Sequence, residues 1–232
     1  MFPAARDQVS LKRLPWTKER FDYAVRQLRR YGKQRVYDEM KTVGLVSDAV
    51  IRVDDAAPFN VFAYMAAGKV YNRECDSIFN TVNASPDWFV ARGLEENEAQ
   101  WENPELLWST GRAAMSRTHK FICSTKRDWR MVNVSLAAAF MPVDEFKQLI
   151  DDLWFECRRY AGLCGLKSAG FFIHPLGYCS VYSWHTHVID LAHVGPSYHA
   201  QWYKNMPLQL IVEWAHDMNG ETDYHWSDRF VD

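Results

Sequence analysis

The sequence of 232 residues has no long apolar run, although 48% of its residues are hydrophobic and 15% are aromatic. No apolar stretch reaches the roughly 18 residues that a membrane-spanning helix needs. The opening MFPAARDQVSLKRL has no apolar segment after its charges, which a signal peptide requires. We therefore expect a cytoplasmic protein with a substantial core and no membrane partner.

Paired cysteines are also missing. The chain has five cysteines, an odd number, and no two of them form a CxxC pair. This pattern disfavours both a disulfide framework and a zinc ribbon. We expect reduced and mostly buried thiols, at Cys75, Cys123, Cys157, Cys164 and Cys179.

The net charge is only -2, so the chain as a whole is not built to attract polyanions. The charge is nevertheless uneven, since residues 1–41 hold 11 Lys and Arg against 5 Asp and Glu. A helix is predicted from Thr17, its N-cap, because apolar residues recur there at helical spacing. The side of this helix opposite the apolar residues carries four basic residues, Arg26, Arg29, Arg30 and Lys33. This basic side is either solvated or in contact with phosphate groups.

The order of predicted elements favours an α+β fold, with a central antiparallel sheet, helices packed on one face and an N-terminal helical extension. Residues 1–116 form an N-terminal region that is partly helical and has no assigned role, and residues 117–232 form the α+β candidate catalytic domain. The alternation in MVNVSLAAAF (131–140) predicts a half-buried strand, and a long amphipathic helix follows. Strands are then predicted at 168–177 and 181–194, a helix at 197–206 and a last strand, PLQLIVEW, at 207–214.

Two histidines lie one residue apart in the strand VYSWHTHVIDLAHV (181–194). Side chains alternate between faces along a strand, so His185 and His187 share a face, roughly 6.5–7 Å apart at the backbone. Two neutral imidazoles at that spacing can converge on one Zn, Mn, Fe, Cu or Ni ion. His174, in the neighbouring strand, and His199, on the next helix, are candidate further ligands. The alternative is a pair of hydrogen-bonded core histidines.

The string HTHVIDL resembles the histidine–hydrophobic–histidine ("HUH") motif of rolling-circle replication initiators and conjugative relaxases. MVNVSLAAAF with its following helix, and GFFIHP before the motif, also look like pieces of such nucleases. The resemblance covers about residues 117–215. It implies nicking and rejoining of single-stranded DNA with a divalent metal (Mn, Mg or Zn), and replication or mobilisation proteins as further partners.

The resemblance also implies a tyrosine nucleophile on the helix after the motif, which leaves Tyr203 and Tyr198 as candidates. Tyr203 is four residues after His199, so we expect the two to share a helix face. Tyr203 is therefore favoured as the nucleophile, with Lys204 as a phosphate contact.

Two other functions stay open from the sequence. One is a different metalloenzyme, either a hydrolase or a non-haem iron oxygenase, with His174, His199 or Glu213 as the third ligand beside the histidine pair. The other is a non-enzymatic binding protein in which the histidines are packed in the core.

Overall fold

The computed structural model describes residues 14–42, 71–72, 88–93, 101–102, 114–124, 133–176, 178 and 184–218. Within these ranges the chain forms five α-helices and one antiparallel sheet, which confirms the predicted α+β class. The helices are α1 (Lys18–Thr42), α2 (Val134–Phe140), α3 (Val143–Leu163), α4 (Pro196–Gln201) and α5 (Leu208–Asp217). The strands are β1 (Tyr71–Asn72), β2 (Trp88–Gly93), β3 (His119–Ser124), β4 (Ala169–Ile173), β5 (His185–Asp190) and β6 (Met206–Pro207).

The sheet order is β1-β2-β3-β5-β4-β6, and every neighbouring pair is antiparallel. The outermost strands, β1 and β6, are two residues long, so four strands make up most of the sheet. The histidine-bearing strand β5 lies at the centre, where His187 pairs with Phe121 of β3 and with Phe172 of β4. The sheet contains strands from both predicted regions, residues 1–116 and 117–232, because β2 of the first region pairs directly with β3 of the second.

One face of this sheet belongs to the main hydrophobic core. Val90, Ile122, Ile173 and Val188 lie on that face and join a buried cluster with apolar residues of α1, α2, α3 and α5. Burying each large apolar side chain contributes about 1.5–3 kcal/mol, so this layer stabilises the fold strongly. His185 and His187 alternate with Val188 along β5 and therefore lie on the opposite face.

Two predicted helices are confirmed. In α1 the Thr17 hydroxyl accepts a hydrogen bond from the amide of Arg20 at 3.2 Å, as an N-cap does, and Phe21 and Val25 are buried. In α3 the first turn carries Asp144 and Glu145, where carboxylates suit the positive end of the helix dipole.

Two predicted strands are wrong, since both segments are helical. Residues 134–140 form α2, capped by Asn133, whose side chain accepts from the amide of Ser135. Every residue of α2 is buried, so the sequence has no polar face to show a helical period. Residues 208–217 form α5, in which Leu208 and Ile211 are buried at helical spacing after Pro207. The segment VSDAVIRV (46–53), which also looks like a strand in the sequence, lies outside the described residues.

The described residues include three of the five cysteines. Cys123 and Cys157 are buried and Cys164 is exposed, and burial raises the pKa of Cys157 well above its usual value. Cys75 and Cys179 lie outside the described residues.

None of the helices in the described ranges combines the length and apolarity needed to cross a membrane.

The basic side of α1 has mixed roles. The Arg29 guanidinium donates to the carbonyl oxygens of Ala139 at 3.1 Å and Ala138 at 3.0 Å, and so caps the C-terminus of α2. Arg26 instead pairs with Asp22 at 2.6 Å, with its side chain 66% exposed. The side chain of Lys33 lies outside the described part. Phosphate binding by this surface stays a prediction.

Arg29→Gln is expected to lower the free energy of unfolding by about 1.5–3 kcal/mol, because hydrogen bonds from a charged donor are lost. Urea unfolding measures this. Arg26→Gln is the matched control and should change stability by less than about 1 kcal/mol, since its ion pair is exposed. Equal effects of the two substitutions would contradict a capping role for Arg29.

Candidate metal centre

Three histidine side chains converge on the face of the sheet opposite the main core. His185 and His187 come from β5, and His174 directly follows β4, the neighbouring strand. One ring nitrogen of each lies within 4.8 Å of the others. Ligand nitrogens of a tetrahedral zinc site with bonds of about 2.0–2.1 Å lie roughly 3.3 Å apart, so small side-chain rotations suffice. The cluster can therefore hold one metal ion.

His174 is oriented by hydrogen bonds at both its backbone and its ring. The side-chain amide of Asn133 donates to the His174 carbonyl oxygen at 3.0 Å. The ring Nε2 lies 3.0 Å from Oδ1 of Asn205. A carboxamide oxygen only accepts, so Nε2 carries the proton and Nδ1 carries the lone pair that an ion would need.

A fourth histidine, His119 of β3, extends the cluster. Its Nε2 lies 2.8 Å from Nδ1 of His187, and both side chains are buried. No motif in the sequence points to this residue. The signal for it is the antiparallel register of β3 against β5, which places Phe121 opposite His187 and is not readable from the sequence alone.

Burial keeps these imidazoles uncharged. Desolvation, with the other histidines as a further cause, lowers the pKa of His119 and of His174 to about 3. The same causes lower the pKa of His187 well below its usual value. Neutral imidazole is the form that binds metals, so these groups are ready for an ion at neutral pH without first losing a charge. Nitrogen donors suit Zn, Cu, Fe or Ni, whereas Mg prefers oxygen.

Tyr198, Tyr203 and Lys204 follow β5 in the chain, but they do not all lie on one helix as the sequence predicted. Helix α4 ends at Gln201, so Tyr203 lies in the turn after it and does not share a helix face with His199. That expectation is wrong. The Tyr203 ring centroid is 6.5 Å from that of Tyr178 and 5.8 Å from Nζ of Lys204.

Tyr198 and Lys204 both lie near the face of the sheet that carries the histidines. The half-buried Tyr198 ring lies 5.8 Å from Phe172, the residue opposite His187 on β4, and burial raises the pKa of its hydroxyl. Lys204 lies near enough to His174 to contribute to lowering its pKa. Both side chains are thus neighbours of the cluster rather than members of it.

Two candidate third ligands lie elsewhere. His199 is exposed on α4, with its ring centroid 5.5 Å from that of Tyr198, and is not one of the three clustered histidines. Glu213 is exposed on α5 and accepts a hydrogen bond from Gln209 at 2.8 Å. Of the third ligands that the sequence left open, the structure brings His174 to the pair.

Comparison of the chain with protein-family models, with curated proteins and with solved structures finds no match. The function is therefore inferred from the chemistry and placement of these side chains. They form a buried, all-imidazole group drawn from the central strand of an antiparallel sheet and the end of its neighbour.

Proposed function

We propose that this chain is a metal-dependent endonuclease that nicks and rejoins single-stranded DNA through a tyrosine nucleophile. The observation that supports it is the HxH pair of the central strand together with His174 from the neighbouring strand, a group compatible with the metal site of HUH nucleases. Candidate tyrosines follow within 16 residues of the pair.

The chemistry needs few groups. An ion held by His174, His185 and His187 would supply Lewis-acid polarisation of the scissile phosphate. The tyrosine hydroxyl attacks phosphorus and loses its proton, one phosphorus–oxygen bond forms, and the bond to the 3′-oxygen breaks. That oxygen takes up a proton and leaves as a free 3′-hydroxyl. One ester replaces another, so the reverse reaction rejoins the strand without an energy source.

Tyr203 is the proposed nucleophile and Tyr198 the alternative. Tyr203 lies two residues before Asn205, which binds the His174 ring, and one before Lys204, whose charge reaches the same imidazole. Lys204 is therefore the proposed phosphate contact. Tyr198 has a half-buried hydroxyl whose pKa is raised by desolvation, which opposes formation of the phenolate.

The test is a covalent adduct. Incubation with single-stranded oligonucleotides and Mn²⁺ or Zn²⁺ is expected to give a protein–DNA species that survives SDS and is absent with EDTA. Tyr203→Phe should abolish it while leaving metal binding unchanged, since only the hydroxyl is lost. Tyr198→Phe is the matched control and should keep it. Loss in Tyr198→Phe alone would move the nucleophile, and the absence of any adduct would contradict the endonuclease.

Burial of the cluster favours a second candidate, a closed metal centre that stabilises the fold without catalysis. His174, His185 and His187 are 5%, 4% and 1% exposed, and structural zinc sites are closed in this way. This candidate predicts metal-dependent thermal stability and no adduct. A non-haem iron oxygenase is less well supported, because no carboxylate joins the group among the described residues.

A further inference from the structure

We infer that His193 is a phosphoryl-acceptor site, at which Nε2 takes the phosphoryl group of an acyl phosphate, with Asp190 and Arg117 as positioning residues. His193 is not one of the three clustered histidines, so the inference depends neither on the metal centre nor on DNA cleavage.

Backbone hydrogen bonds hold His193 and Arg117 side by side just beyond the central strand. His193 ends the short 3-10 helix Leu191–His193, which follows β5. Its carbonyl oxygen accepts from the amide of Arg117 at 3.0 Å, and the adjoining residues Ser116 and Val194 form an antiparallel β-bridge. The two side chains therefore start from positions that are fixed relative to each other.

Asp190, buried at the end of β5, orients the imidazole. Its side chain is 5% exposed, Oδ1 accepts from the amide of Ala192 at 3.1 Å, and Oδ2 lies 2.9 Å from Nδ1 of His193. Desolvation opposes its charge, but the hydrogen bonds from His193 and Ala192 and the charge of Arg117 lower the pKa of Asp190 below its usual value. A carboxylate only accepts, so Nδ1 carries the proton and the lone pair of the neutral ring lies on Nε2.

The oriented ring is also accessible. The His193 side chain is 42% exposed, and the Trp101 ring packs against it edge to face, with centroids 6.3 Å apart. The hydrogen bond to Asp190 occupies Nδ1 and leaves the Nε2 lone pair for an electrophile. An imidazole whose reactive nitrogen is set by an ionised partner in this way has the pattern of an activated nucleophile.

Arg117 supplies the charge that favours a phosphoryl group over an uncharged electrophile. Its guanidinium donates to the same Oδ2 of Asp190 at 3.1 Å, and its side chain is 55% exposed. A guanidinium has several N–H donors in a fixed plane, so donors besides the one on Asp190 can bind phosphate oxygens. One buried carboxylate thus places a nucleophile and a phosphate-binding cation next to each other.

An acyl phosphate is the matching donor, because its carboxylate leaves without an acid to protonate it. Nε2 attacks phosphorus, a nitrogen–phosphorus bond forms, and the bond from phosphorus to the carboxylate oxygen breaks. The carboxylate keeps the bonding electrons. The phosphorylated ring retains its Nδ1 proton, and Asp190 stabilises the resulting positive charge, as a carboxylate does for an imidazolium.

Acetyl phosphate is the probe, and two other exposed histidines of the chain are the matched controls. His199 lies on α4, and His216 is held by Asp151 through Nε2 at 2.8 Å, the nitrogen that His193 offers. Phosphohistidine survives alkali but not acid, so proteolysis and mass spectrometry at alkaline pH locate it. His193 is expected to be labelled about tenfold or more faster than either control, the effect of one charge-assisted hydrogen bond.

Phosphorus NMR of the labelled wild-type protein identifies the nitrogen that reacts. Phosphorus on Nε2 of His193 is expected, and phosphorus on Nδ1 would overturn the inference. Equal labelling of His193, His199 and His216, or no labelling of His193, would also overturn it.

Two substitutions test the positioning residues, with circular dichroism to verify folding. Asp190→Asn is expected to slow labelling of His193 about tenfold or more and to give both isomers, because a carboxamide can donate to Nδ1 as well as accept from it. A merely structural role of Asp190 would leave the isomer unchanged. Arg117→Gln should slow labelling by a similar factor and Arg117→Lys by less, since lysine keeps the charge. Unchanged labelling in Asp190→Asn and Arg117→Gln would overturn the inference.

Discussion

His187→Ala is expected to weaken Zn²⁺ binding by roughly a hundredfold or more. Structural zinc sites bind with about 10–16 kcal/mol, so losing one of three protein ligands removes several kcal/mol, and each 1.4 kcal/mol is tenfold. His185→Ala and His174→Ala should have similar effects, because the three nitrogens form one group. Mg²⁺ should bind far more weakly than Zn²⁺ to wild type, since the donors are nitrogen.

Competition with a chelating dye measures these affinities, and circular dichroism verifies that each variant stays folded. His199→Ala is the matched control, because that imidazole is exposed on α4 and outside the cluster. It should retain wild-type affinity. Undiminished Zn²⁺ binding by a protein lacking both His185 and His187 would rule out the site, whereas a loss in His199→Ala would place the ion elsewhere.

Acidification from pH 7 to pH 5 is expected to destabilise the metal-free protein by a few kcal/mol. The folded-state pKa values of His119 and His174, about 3, lie below the ordinary value of 6.5. Between these values the unfolded chain binds more protons than the folded one. Stability is therefore greatest above pH 6.5 and falls toward pH 3, by about 1 kcal/mol per pH unit for each such histidine.

Urea unfolding at pH 7, 6 and 5 measures this slope. His174→Gln should reduce it by the share of one histidine, while His199→Ala should leave it unchanged. Saturating Zn²⁺ should raise stability at each pH but leave the slope unchanged, because the folded-state imidazoles are already neutral in this range. A flat profile between pH 7 and pH 5 would contradict the charge-free cluster.

The parts of the site that could be predicted depend on local geometry. The shared face of His185 and His187 follows from strand alternation alone. His174 was a candidate because its strand adjoins theirs in sequence. His119 could not be found this way, since its contact with His187 spans 68 residues and depends on strand register.

The errors have equally physical causes. Helix α2 is buried on every side, so its apolar residues show no helical period and Val134 and Leu136 suggested a strand. The expected shared face of His199 and Tyr203 assumed a helix that in fact ends at Gln201. Burial and helix length are both decided by tertiary packing, which one sequence does not display.

Because β5 is hydrogen-bonded along both edges, His185 and His187 cannot move apart without opening two ladders at once. The sheet thus resembles a macrocyclic chelator, whose donor spacing is set before any ion arrives. Much of the ordering entropy of complex formation is then already spent during folding. An ion whose preferred bond lengths suit that spacing binds without rearranging the strands. A larger ion binds less well, because the paired strands keep the donor nitrogens from moving apart.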